Sequence, residues 1–207
     1  CSYCPAVEDV LHNLSSQFGD DFIYLTHQLS GPVAFTDPLY AYYNAFSAPV
    51  SIIQGKHKLV GGNQDILDQY APTVQSELDS LSQMDYRVIN ATVEEKNISG
   101  SVKLTPLSAS FNQEELILNL AVIDLVSTAV NAEGEPLTNV VIGRKRIDIS
   151  TVDLSNPVAF EFDANVIIPE DAVLVVFAQK TPTTFANNAT IYSGLQFSLT
   201  VKKGGSR

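Results

Sequence analysis

Cys1-Ser2-Tyr3-Cys4-Pro5 holds both cysteines of the chain, with two residues between them. That spacing sets two thiols on one helical turn. There they can close a disulfide, or one thiolate can rest against a helix N-terminus whose dipole stabilises the anion. Pro5 suits a first helical turn, where its missing N–H is not needed. Two readings stay open. In one, Cys1 and Cys4 form a dithiol/disulfide couple, with Cys1 as the nucleophile of lowered pKa and Cys4 as the resolving thiol. In the other, a permanently oxidised bridge staples the loop to the helix, as is common in exported proteins. So short a loop constrains little chain, which limits what the bridge adds to stability. Tyr3 either tunes the pair or is simply an exposed aromatic.

The other reactive side chains are dispersed. His12, His27 and His57 show no H-x-x-x-H spacing and no Cys/His cluster, so no zinc site is expected. His27 ends an apolar run expected beside the cysteines; it reads as a buried or rim histidine more readily than as an acid–base group. Gly61-Gly62-Asn63 is not followed by Lys-Ser/Thr, so it is a turn with Asn63 as helix cap and not a phosphate loop. Arg144-Lys145-Arg146 reads as a solvated strand face, or as a basic patch that pairs with an acidic neighbour in an assembly. Asp20-Asp21, Asp163 and Glu170-Asp171 lack calcium-loop spacing. No Ser-His-Asp set or carboxylate pair stands out, and neither a metal nor a cofactor is expected.

Composition narrows the setting. The 207 residues are 45% hydrophobic and 17% charged, which describes an ordered globular chain with ample length for a core. A formal net charge of −11 argues against nucleic acid or anionic membrane as partners. No apolar run reaches the roughly 18 residues of a membrane span, and Asn119 and Asp124 interrupt the longest. No signal peptide is present; in an exported protein it would already have been removed. Few Lys and Arg with many Ser, Thr and Asn favour an extracytoplasmic home: secreted, periplasmic or cell-surface. N-x-S/T sequons occur at Asn13, Asn90, Asn97 and Asn188. Asn13 lies in an expected helix, leaving Asn90, Asn97 and Asn188 as the candidate glycosylation sites of an extracellular glycoprotein.

The elements that must position the cysteines alternate over the first 83 residues. Val7, Val10, Leu11, Leu14 and Phe18 mark a helix over 5–18 that Gly19 ends. Phe22–Thr26 is a short β-type run, followed by a loop at Gly31-Pro32. Asp37 as N-cap and Pro38 at N1 open a second helix carrying Leu39, Tyr42, Tyr43 and Phe46. Ala48–Ile53 is a strand introduced by Pro49, and Gly55-Lys56-His57 turns it into Lys58–Val60. A third helix spans Gln64–Leu81, with Ile66, Leu67, Tyr70, Val74, Leu78 and Leu81 on one face and Pro72 kinking or splitting it. Beyond a boundary at 82–86 the texture becomes β-rich. Arg87–Glu94, Gly100–Thr105, Leu116–Val126, Val140–Asp148, Val158–Phe162, Ala172–Ala178 and Gly194–Lys202 read as strands separated by turn signals, the pattern of an antiparallel sandwich. Lys202–Arg207 reads as a frayed end.

The order CxxC–helix–strand–helix–Pro-strand–hairpin–helix resembles the thioredoxin-like superfamily over residues 1–81. Ser47-Ala48-Pro49-Val50 matches the position of the family's cis-proline, and Ile52–Gly62 looks like its β-hairpin. With Leu174-Val175-Val176-Phe177-Ala178-Gln179 in a sandwich behind it, the chain is similar to bacterial secreted and outer-membrane proteins that join the two units. The resemblance implies an α/β thioredoxin-like domain at 1–83, lacking its first strand, and an all-β antiparallel sandwich domain at 84–207. It also implies catalytic roles for Cys1, Cys4 and Pro49, with Pro49 shaping the surface that holds a mixed disulfide and Ala48 offering backbone groups. In that fold a central strand runs into the cysteine motif. Three sources for it are open: residues upstream of this sequence, a strand donated by a neighbouring chain, or a rearranged terminus whose Cys1 is lipid-modified. The function expected is thiol–disulfide exchange on protein substrates. The alternative is a non-catalytic surface or assembly subunit (filament or adhesion) that pairs with copies of itself and carries a structural Cys1–Cys4 disulfide.

Overall fold

A computed structural model of the protein describes residues 1–31, 33–34 and 37–201. Pro32 of the expected loop and the tail from Lys202, including the end of the last expected strand, lie outside the described residues. Helix α1 (Cys4–Phe18) starts with Pro5 in its first turn and gives way at Gly19 to a single 3₁₀ turn, Gly19–Asp21. Helix α2 (Leu39–Tyr42) is one turn long, and the Asp37 carboxylate accepts from the Leu39 N–H at 2.9 Å, as a capping aspartate should. Strands β1 (Val50–Ile53) and β2 (His57–Val60) form an antiparallel hairpin. The expected third helix is two: α3 (Gln64–Leu67), capped by Asn63 through the Ile66 N–H, and α4 (Tyr70–Leu78), with Pro72 in its first turn. The break falls where proline is tolerated, just inside a new helix.

Periodicity located the buried face well. Val7, Val10, Leu11, Leu14 and Phe18 of α1 pack against Ile66, Leu67, Tyr70, Val74 and Leu78. Two expected positions are corrected. Leu81 lies past the end of α4 and is 92% exposed, and Phe46 lies past α2 and is 76% exposed. Asn44, in a left-handed conformation at φ 51°, has by then turned the chain away from the helix path.

The remaining strands are β3 (Met84–Glu94), β4 (Asn97–Pro106), β5 (Leu116–Val130), β6 (Pro136–Asp148), β7 (Val158–Asp163), β8 (Val173–Lys180), β9 (Ile191–Ser198) and β10 (Thr200–Val201). They form two four-stranded sheets, ordered β10-β3-β4-β7 and β6-β5-β8-β9, antiparallel except for the parallel β10–β3 pair. One core fills the space between them, with Val93, Ile98, Val102 and Leu104 facing Leu118, Leu120, Leu174 and Val176. Tyr86 bridges the sheets: its hydroxyl accepts from the Ala178 N–H at 2.9 Å and donates to the Tyr192 carbonyl.

The second sheet is covered on both faces. Ala121, Ile123, Val141, Val173, Val175 and Phe177 point away from the sandwich core and receive Ile23 and Leu25 from the N-terminal region. Strands β5 and β8 therefore read as nearly unbroken apolar runs. Strand β7, with one wet face, alternates buried and exposed residues along its length. Two further links fix the layers. Thr26 bridges to Val140 in parallel register, and the hairpin turn bonds to the start of β9 and the segment before it, through Ile191 N–H to Gln54 O (3.0 Å) and Ala189 N–H to Gly55 O (3.1 Å). Gly55, at φ +67°, permits that approach: a Cβ there would lie 1.8 Å from the Ala189 oxygen.

Candidate functional site

The turn that leads into α1, which begins at Cys4, places the cysteines. Cys1 and Cys4 are joined by a disulfide with Cα atoms 5.5 Å apart, and a Cys4 N–H to Cys1 O contact of 3.4 Å closes the turn. Cys1 and Tyr3 are exposed and Cys4 half-buried, so the bridge can be reached from solvent. Tyr3 is held by backbone as well as by the bridge: a Cβ added to Gly62 would come within 2.8 Å of the Tyr3 carbonyl oxygen. The turn after β2 thus packs directly on the cysteine loop.

Cys1, Cys4 and Pro49 line one cavity of about 1150 Å³ between the helices, the hairpin and the outer face of the second sheet. Pro49 is buried, its peptide bond to Ala48 is cis, and its carbonyl accepts from the Gly61 N–H at 3.0 Å. Ala48 is exposed beside it. Val7 and Leu11 of α1 wall the cavity on the helix side, and Val175 and Phe177 on the sandwich side.

A buried polar cluster lies in the same wall. Arg144 Nη1 donates to Asp37 Oδ2 at 2.9 Å, with the two side chains only 4% and 2% exposed. Arg144 Nη2 donates to Asn119 Oδ1 at 2.8 Å, and the guanidinium lies 5.6 Å from the Phe177 ring centroid, within cation–π range. Burial pulls the Arg144 pKa down, and Asp37 acts in the opposite sense. The expectation of a solvated basic strand face is therefore corrected for Arg144. Its countercharge comes from within the chain, because β6 is covered by the N-terminal layer. Arg146 is half-buried, with Nη2 3.5 Å from Thr181 Oγ1, and Lys145 is exposed. Gln179, fully buried, donates to the Tyr43 hydroxyl and to the Ala189 carbonyl (3.2 Å). One signal for this cluster stood in the sequence. Asn119 interrupts the apolar run of β5, and a polar residue inside a run buried on both faces must find a partner.

His27 belongs to this cluster. Its ring meets Tyr40 edge-on at 5.9 Å and its Nδ1 is out of solvent contact. Burial first, and the Arg144 charge second, push its pKa down to about 4 against the pull of Asp37, so the ring is neutral at pH 7. The other two histidines sit elsewhere. His12 Nε2 is 2.8 Å from Thr138 Oγ1, and His57 Nε2 is 2.8 Å from Glu77 Oε1, a carboxylate that also takes Lys56 at 2.6 Å. Burial pushes the Glu77 carboxyl up, but the hydrogen bonds from Lys56 and His57 outweigh it and hold the group below its usual range. No group of three or more His, Cys, Asp or Glu converges among the described residues. Nor is any helix among them long and apolar enough to cross a membrane.

Of the sequon asparagines, Asn90 and Asn188 are exposed on β3 and on the loop before β9. Asn97, half-buried at the start of β4, donates toward Asp163 at 3.2 Å. Asn13 is exposed on α1.

No family model, curated protein or solved structure matches the chain.

Proposed function

We propose that this protein carries out thiol–disulfide exchange on protein substrates in an extracytoplasmic compartment, its first 83 residues forming a thioredoxin-like unit. The observation that carries the reading is the placement of Cys1, Cys4 and Pro49 in the wall of one cavity, with Cys1 exposed in the turn that leads into α1. In the reduced state the helix N-terminus favours a thiolate there. The Cys1 thiolate attacks one sulfur of a substrate disulfide; a Cys1–substrate S–S bond forms and the other substrate sulfur leaves as thiolate. The Cys4 thiolate then attacks the Cys1 sulfur, releasing the substrate as a dithiol and closing the bridge seen here. The same steps in reverse oxidise a substrate dithiol. An oxidised pair with no free cysteine in the chain fits an oxidising compartment, as do the exposed sequons at Asn90 and Asn188.

The test is reduction of insulin with dithiothreitol as the terminal reductant. Turnover above the dithiothreitol background is expected, with Cys1→Ser abolishing it and Cys4→Ser trapping a mixed disulfide visible by mass. A rate equal to background for the wild-type chain, with Cys1–Cys4 opening and closing while nothing else reacts, rejects exchange and leaves the bridge a staple.

A further inference from the structure

We propose that Lys58 is a positioning residue of the exchange site: it fixes the loop Asn44–Ala48, which presents Pro49 and meets a polypeptide substrate. The inference rests on the exchange reading above. Helix α2 is a single turn and runs out into a left-handed residue, Asn44 at φ 51°. The Ala45 N–H reaches back to the Tyr40 carbonyl at 2.7 Å and the Asn44 N–H to the Ala41 carbonyl at 3.1 Å, which is a Schellman stop. That pattern does not use the carbonyls of Tyr43 and Asn44. Lys58 Nζ donates to both, at 2.8 and 3.0 Å. An ammonium has donors enough for the two, and its charge suits the carbonyl end of a helix. No Lys or Arg precedes Lys56 in the chain, so α2 has no cation of its own for this task.

What Lys58 holds is the approach to Pro49. Lys58 lies on β2 opposite Ile52, and Gly61, just past the end of the same strand, donates its N–H to the Pro49 carbonyl at 3.0 Å. One strand therefore grips the loop at both ends. Between the grips, Phe46 is 76% exposed and Ala48 is exposed. Ala45, Ser47 and Ala48 line the same cavity as Cys1, Cys4 and Pro49. A large aromatic left in water on a short, doubly anchored segment can meet a substrate without the segment first having to be ordered. Loss of the Lys58 grip frees the Asn44 end, so the ordering cost returns as weaker substrate binding. The Gly61 bond still seats Pro49 for the chemistry. The signature is a rise in KM with kcat nearly kept.

The test is the insulin assay with Lys58→Met, which keeps the stem and removes the donors, and with Lys58→Arg, which restores them. Lys58→Met should raise KM about tenfold with kcat changed less than about twofold, and Lys58→Arg should recover most of the affinity. Amide hydrogen exchange at Ala45–Ala48 should quicken in Lys58→Met and slow again in Lys58→Arg. Ser51→Ala is the control: it removes the 2.7 Å hydrogen bond between β1 and Tyr70 of α4 and should leave KM unmoved. An unchanged KM in Lys58→Met, an equal rise in Ser51→Ala, or a fall confined to kcat overturns the proposal. A second arm uses the Cys1→Ser/Cys4→Ser protein and fluorescein-labelled, S-carboxymethylated insulin B chain, followed by anisotropy. Adding Lys58→Met there should weaken binding by the same factor, although no thiol can react. Turnover by the wild type with binding absent or indifferent to Lys58 leaves exchange standing and overturns the positioning role. Binding that obeys Lys58 in a chain without turnover does the reverse.

Discussion

The carboxylate of Asp37 performs two tasks with two oxygens: Oδ1 accepts from the Leu39 N–H at the start of α2, and Oδ2 accepts from Arg144 on β6 at 2.9 Å. One residue thus starts a helix and neutralises a guanidinium that the overlying layer has cut off from water. Asp37→Asn keeps an oxygen for the cap and removes the countercharge, leaving Arg144 buried and uncompensated. A loss of about 3–5 kcal/mol is expected from urea denaturation. The double variant Asp37→Asn/Arg144→Met removes the orphaned charge and should recover much of that loss. Equal midpoints for the single and double variants would show that the pair is not what holds the layers here.

The His27 ring gives the same contact a pH dependence. Folded, its pKa lies near 4; unfolded, it returns to about 6.5. Above about pH 6.5 both states are neutral and the residue contributes no slope. Between about 6.5 and 4 the unfolded chain takes up a proton that the folded ring refuses, so stability falls as pH falls. Arg144, Asp37 and Tyr40 are the charged or titratable groups that face it. Urea midpoints measured from about pH 7 to 5 should decline for the wild type and decline less for His27→Gln. Staying above pH 5 keeps the window clear of Glu77, whose depressed pKa makes its own contribution fade only at lower pH. Parallel profiles for the two proteins would remove His27 as the source.

The helices, the hairpin and the β-rich second half were legible because each is written in local periodicity. Val7, Leu11 and Leu14 recur at helical spacing, and Val158–Phe162 alternates as a half-buried strand. The docking of the first 83 residues on β5 and β8 was legible only indirectly, in the unbroken run Leu174–Ala178, which needs a second apolar neighbour. Phe22–Thr26 shows where local reading stops. Phe22 is extended, yet pairing depends on what lies alongside, and within the run only Thr26 bridges to a strand. Arg144 was misread for a related reason. A basic triplet on a strand looks solvated until a distant aspartate is known to cover it. The cysteine spacing announced the bridge; its company in the cavity wall depended on tertiary packing.

Gly61 and Gly62 are adjacent, and the same substitution should act on them by different means. Gly61 has φ +96° and open space around its Cβ position, so Gly61→Ala meets backbone strain alone, about 1–2 kcal/mol. Gly62 is free of that constraint, but its Cβ would lie 2.8 Å from the Tyr3 carbonyl oxygen and 3.0 Å from the Tyr3 Cβ. Gly62→Ala must push the cysteine loop outward, with an overpacking cost of about 1–3 kcal/mol. Because the displaced residue sits between Cys1 and Cys4, the half-buried Cys4 sulfur becomes more accessible. Thiol release by dithiothreitol, followed with a chromogenic disulfide, should therefore be faster in Gly62→Ala than in wild type and unchanged in Gly61→Ala. Equal acceleration in both variants would trace the effect to lost stability, and no acceleration in either would mean that the packing of Gly62 on Tyr3 does not govern access to the bridge.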